Sequence, residues 1–191
     1  PDLPQKIFDA GHEVGFHCQV HRPLNSVGEI EKDLKASTAW RKKFNVHGFR
    51  APMVNTVEGV YPLLEQNEFT YSSSLYAPTG TILRKGNIWE LPVSTYPLFG
   101  KPVTFRAPRR MDLPLIIGGE FPYGSSLMSG LFPRIVFKLI EREFKNGLSP
   151  VIFLHPYELV SLPTSARLRR DLMRNPHLMP FPRDKSGFLK S

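Results

Sequence analysis

Short apolar runs alternate with helical stripes along most of this chain, and such alternation restricts it to folds built on a parallel sheet flanked by helices. Residues 3–10 read as the end of an amphipathic helix, with Leu3, Ile7 and Phe8 on one side and Gly11 as its C-terminal cap. The strand-like run His12-Glu13-Val14-Gly15-Phe16 follows, and residues 17–24 lead through Asn25-Ser26 into a second predicted helix at 27–44. The unit then repeats as a strand at 46–50, a helix at 57–67 with Val60, Leu63 and Leu64 on one face, and strands at 69–75 and 88–93. Residues 95–118, rich in Pro and Arg, read as an irregular excursion. The clearest helix spans 131–146, with Ile135, Leu139, Ile140 and Phe144 expected on its buried side and Gly147 as its stop. An apolar strand at 151–154 then delivers His155.

A chain of 191 residues suffices for one domain with a sizeable core. We place that domain at 1–160 and read 161–191, with Pro163, Pro176, Pro180 and Pro182, as an extension packed on it that carries one short helix near 165–173. With 41% hydrophobic and 22% charged residues, the balance is that of a soluble globular protein. No apolar run is long enough to predict a membrane span, and the N-terminus lacks the basic start and apolar core of a signal peptide. Opening on Pro1 and running at once into helical sequence, the chain implies residues upstream. The single cysteine, Cys18, excludes an internal disulfide framework, reads as a small buried side chain, and leaves the compartment open. A net charge of +8 suits a polyanion, but the basic residues are scattered, without aromatic interleaving, so solvated surface is the simpler reading.

The most informative stretch is Gly11-His12-Glu13-Val14-Gly15-Phe16-His17-Cys18-Gln19-Val20-His21. His17 and His21 can face one ion if the chain between them makes a helical turn, although that spacing alone reads more simply as two unrelated histidines. His12 lies outside the spacing and reads as a local packing residue. His155 closes an apolar strand, the end at which parallel strands converge on an active face.

The run Gly-His-Glu-Val-Gly-x-His-x-x-x-His resembles the metal-binding motif of the NodB-like polysaccharide deacetylases. Gly48-Phe49-Arg50-Ala51-Pro52 resembles that family's Arg-x-Pro motif, Tyr71-Ser72-Ser73-Ser74 its Tyr-Asp-Ser-Ser strand end, and Phe153-Leu154-His155-Pro156-Tyr157-Glu158 its final Leu-His motif. Trp89-Glu90-Leu91-Pro92-Val93-Ser94-Thr95 and Gly118-Gly119 are similar to the subgroup associated with bacterial exopolysaccharide loci. The resemblance covers nearly the whole chain. It implies a deformed (β/α) barrel without its first strand, in the bacterial cytoplasm or the cell envelope, acting on an N-acetylated polysaccharide.

By that resemblance, His17 and His21 ligate Zn²⁺ or another divalent metal, His155 donates a proton to the leaving amine, and Arg50 orients an aspartate base. Leu154 lines the acetyl pocket, and Pro52, Tyr71 and Tyr157 wall the groove, where Tyr71 and Tyr157 serve equally as packing residues.

Two departures follow. Ser72 stands where the family has an aspartate, so the charge supporting His155 is missing or comes from a carboxylate such as Glu158. Nothing before His17 fits the family's opening aspartate motif, since Asp2 and Asp9 belong to the preceding helix and the glycines separate Glu13 from any helical stripe with His17. A catalytic zinc takes three protein ligands, so the chain alone is expected to bind zinc poorly and to be inactive. The alternatives are a non-catalytic carbohydrate-binding relative and a basic binder of nucleic acid or membrane surfaces.

Overall fold

Leu34 O shows how local competition shapes the first helices. In a computed structural model describing residues 2–19, 24–99 and 109–155, this carbonyl accepts from the Ser37 hydroxyl at 3.1 Å, the Thr38 hydroxyl at 3.1 Å and Arg41 Nη2 at 3.2 Å. Side chains that bond back to the preceding turn compete with the helix ladder. The single helix expected at 27–44 is therefore two, α2 (Val27–Ala36) and α3 (Thr38–Lys43), hinged at Ser37. Ahead of them α1 (Leu3–Asp9) ends at Gly11, whose φ of +82° suits a glycine cap. Its expected apolar side stays largely exposed, Leu3 at 61%, and only Phe8 finds a ring partner, Phe44, at 5.8 Å.

Two sheets follow. β1 (Gly48–Phe49), β2 (Tyr71–Ser72) and β5 (Ile88–Glu90) are parallel neighbours, and β4 (Leu83–Lys85) pairs antiparallel with β5 at the edge. The β4–β5 hairpin turns on Gly86-Asn87, with Gly86 at φ +63°. β3 (Tyr76–Pro78) pairs parallel with β6 (Val93–Pro97), which pairs antiparallel with β7 (Glu120–Phe121). The strand expected at 88–93 is thus divided: the chain leaves one sheet after β5 and enters the other at Val93, across Leu91-Pro92. Part of the expected excursion at 95–118 is also regular, since β6 runs to Pro97 and α5 (Leu113–Ile117) is capped by Asp112.

The strand-like run at 12–16 contributes one parallel bridge, Phe16 to Phe49, through Phe16 N–H to Gly48 O at 2.8 Å and Arg50 N–H to Phe16 O at 2.9 Å. α4 (Val60–Gln66) buries Val60, Leu63 and Leu64 as expected. With Ile30 and Leu34 of α2 and the rings of Phe16, Phe44, Phe49 and Phe69, these form the main core, each large side chain contributing about 1.5–3 kcal/mol by its burial.

α6 (Ser126–Leu131) and α7 (Pro133–Lys145) close the other side over Tyr123. Here the expected helix face is rotated. Val136 is buried and Leu139 and Ile140 are half-buried, while Ile135 and Phe144 are 52% and 62% exposed. The inner stripe runs through 136, 140 and 143, a spacing that also takes in Glu143. After Gly147, at φ +76°, residues 151–155 run beside β6 without forming a regular strand. Val151 N–H goes to the Ser94 hydroxyl at 2.8 Å rather than to a backbone carbonyl, although Ser94 N–H still reaches Val151 O at 2.9 Å. Gly124 lets this segment in, since a Cβ there would sit 2.5 Å from Val151 O.

Alternating α/β structure is therefore present, but the described strands make two sheets and no closed barrel. Among the described residues no helix is long and apolar enough to cross a membrane. The expected extension at 161–191, together with His21, Tyr157 and Glu158, lies outside the described residues.

Candidate active site

His17 follows directly on the Phe16 bridge, so the sheet edge fixes its backbone. Its Nδ1 lies 2.9 Å from Arg50 O. A carbonyl only accepts, so Nδ1 carries the proton, and in the neutral ring the lone pair belongs to Nε2. A histidine held this way through its other nitrogen is pre-oriented as a metal ligand. The next residues are pinned as well: Cys18 turns the chain at φ +60°, and Gln19 N–H donates to Asp33 Oδ2 at 2.7 Å. Burial, with a hydrogen bond to Asp33, pushes the half-buried Cys18 thiol well above its ordinary range.

Arg50 leaves the end of β1 and points its guanidinium at the loop after β2. Nε donates to Ser73 O at 3.1 Å and Nη2 to the Ser73 hydroxyl at 2.7 Å, while the group sits 5.5 Å over the Phe153 ring. Burial lowers the arginine's pKa, an effect opposed by Tyr76, Glu90 and Tyr71 nearby. The Phe153 ring in turn meets the His155 ring edge-on at 5.8 Å. Arg50 is thus the junction of the site, holding His17 through its carbonyl and the 151–155 segment through its side chain.

The other expected residues divide. Pro52 is buried at the start of a single 3-10 turn (Pro52–Val54), in which Met53 and Val54 both take positive φ, 56° and 51°. Backbone strain of this kind is often found at functional loops. Leu154 is half-buried beside His155. The Tyr71 hydroxyl donates to Glu13 Oε1 at 2.8 Å, and burial first, then Glu13, push it up to about 12. Ser72 is fully buried and bonds Glu90 and, at 2.9 Å, the Ser74 hydroxyl.

Comparison with family models and with curated proteins finds no match. Among solved structures, a provisionally named polysaccharide deacetylase from Mycobacterium smegmatis aligns with a TM-score of 0.47 and 20% identity, covering 75% of this chain and 48% of that one. The chain spans about half the length of that protein. A likeness at this level carries neither fold nor chemistry, which rest on the residues themselves.

As for a metal, the tautomer of His17 fits one ligand, and His21 lies outside the described residues. Among the described residues no three His, Cys, Asp or Glu side chains gather to hold an ion.

Sequence reasoning assigned no role to Ser73, Phe153 or Glu90. Glu90 carried a signal, as the one acid in the apolar run Ile88-Trp89-Glu90-Leu91, on the same strand face as buried Ile88. Ser73 and Phe153 stand inside the runs at 71–74 and 153–158, but nothing in those runs signals that each meets Arg50.

Proposed function

We propose that this chain carries the active-site histidines of a metal-dependent hydrolase that removes N-acetyl groups from an amino-sugar polysaccharide, on a deformed (β/α) barrel. The supporting observation is the unbroken run of contacts from His17 through Arg50 and Phe153 to His155, which joins the expected metal ligand, orienting arginine and proton donor. His17 and His21 would hold the ion, with the family's opening aspartate motif completing the set. A bound Zn²⁺ would supply Lewis acidity toward the acetyl carbonyl and an activated water.

The chain's own residues do the rest. His155, steadied by Phe153, delivers its proton to the departing amine nitrogen. Arg50, its fork fixed on Ser73, orients the carboxylate base by charge-assisted hydrogen bonds. Leu154 borders the acetyl methyl, and Pro52, Tyr71 and Tyr157 wall the groove.

The test is acetate release from N-acetylated oligosaccharides with Zn²⁺ supplied, by this chain and by a version extended at its N-terminus with the family's aspartate-bearing strand. The extended chain should release acetate, His17→Ala should lose bound metal, and His155→Ala should keep the metal while slowing turnover by about 10²–10⁴-fold. Metal binding indifferent to His17→Ala, or turnover indifferent to His155→Ala, overturns the reading. Oligosaccharide binding without acetate release would favour a non-catalytic carbohydrate binder.

A further inference from the structure

Strand β5 carries one carboxylate, Glu90, into the interior at 0% exposure. A carboxylate is kept there only if hydrogen bonds replace its water. Oε1 accepts from Ser74 N–H at 2.6 Å and Leu75 N–H at 3.0 Å, Oε2 accepts from the Tyr61 hydroxyl at 3.3 Å, and the Ser72 hydroxyl also bonds the group. Two of these four donors, Ser74 and Leu75, belong to the loop after β2 that holds Arg50, and a third, Ser72, ends β2 itself.

The connection is tighter than shared neighbourhood. Ser74 N–H and Ser73 C=O are the two edges of one peptide group, which is planar and rigid. Glu90 Oε1 accepts from its N–H edge, and Arg50 Nε donates to its C=O edge at 3.1 Å. Ser74 also accepts Ala51 N–H on its hydroxyl at 2.9 Å, binding the residue after Arg50 to the same loop. A peptide polarised by a carboxylate on one side offers a stronger acceptor on the other. Among the described residues Arg50 forms no direct ion pair, and the Ser73–Ser74 peptide group is its hydrogen-bonded link to a carboxylate.

We propose that Glu90 is the positioning residue for Arg50, acting through the Ser73–Ser74 peptide group, which turns carboxylate placement into guanidinium orientation. Its catalytic consequence rests on the deacetylase reading, in which Arg50 orients the base; the relay itself does not.

The readout is hydrogen exchange of the Arg50 Nε–H group by ¹⁵N NMR in the full chain, with Arg41 as internal control. Arg41 is packed separately, with Nε on the Ser37 hydroxyl and Nη1 on Asn67 O. Glu90→Ala should speed Arg50 Nε–H exchange on the order of tenfold and leave Arg41 unchanged. Glu90→Asp, which keeps the charge but withdraws it by one methylene, gives the same answer should the alanine variant not fold. Unchanged Arg50 exchange in the variants that fold, or equal acceleration at Arg41, overturns the proposal. Because exchange needs no turnover, the two readings separate: selective loosening of Arg50 without any effect of Glu90→Asp on acetate release by the N-terminally extended, active chain upholds the relay and removes Arg50 from the proposed chemistry.

Discussion

A single carbonyl, Arg50 O, decides which nitrogen of His17 carries the proton, and a single peptide group carries Glu90 to Arg50. Both side chains should therefore respond to small changes. Arg50→Lys keeps the charge but loses the planar fork on Ser73 and the stacking on Phe153, and urea unfolding should show a loss of about 1–2 kcal/mol. Burial raises the Glu90 carboxyl above the ordinary carboxylate range, only partly offset by its four hydrogen-bond donors. The folded state then keeps its proton over a pH range in which the unfolded chain has lost it, so this group's contribution is full below the ordinary carboxylate range and is lost as pH rises through the folded pKa. Glu90→Gln cannot ionise, so the stability difference between variant and parent should shift toward the variant as pH climbs out of the ordinary carboxylate range. Urea unfolding at a series of pH values checks this, and a shift in the opposite direction would contradict it.

Elements in this protein are short, and their ends are set locally while their faces are not. Gly11 and Gly147, both at positive φ, stop α1 and α7 where the sequence places them, because glycine tolerates the left-handed turn. The break at Ser37 was hidden because residues 27–44 keep a helical apolar stripe across it, whereas the hydroxyls that compete for Leu34 O leave no trace in that periodicity. For α7 the apolar stripe is wide enough to be seated in more than one rotation, and packing on Tyr123 and Met128 selects the one that buries Val136. Val136→Ala should accordingly cost about 2 kcal/mol and Ile135→Ala no more than about 0.5 kcal/mol, as read by thermal or denaturant unfolding. Equal effects would place the helix in a different rotation.

Across the whole molecule, the second sheet is stitched by charge as well as by backbone pairing. Arg109 bonds Tyr76 O of β3 and pairs with Glu120 of β7, and Glu120 accepts from the Thr95 hydroxyl of β6 at 2.5 Å. Removing one partner of a buried pair leaves the other uncompensated, so Glu120→Gln should lower unfolding free energy by about 3 kcal/mol. A near-neutral result would show that the sheet is held by its strands alone. His17, Arg50 and His155 stood out as candidates because each stands in a recognisable run of residues. Glu90 and Ser73 stand in such runs too, but their connection to Arg50 was hidden, since the contacts that make it span 16 and 23 residues. By itself the sequence determined the α/β alternation and the glycine-capped helix ends, which follow from local backbone preference and side-chain type, and it marked the runs from which the candidate site residues are read. Only the tertiary structure decided that the strands divide between two sheets, which face of α7 turns inward, and that Arg50 joins His17 to the His155 segment. Those choices depend on contacts between distant segments, whose closure entropy is overcome only when the core assembles around them.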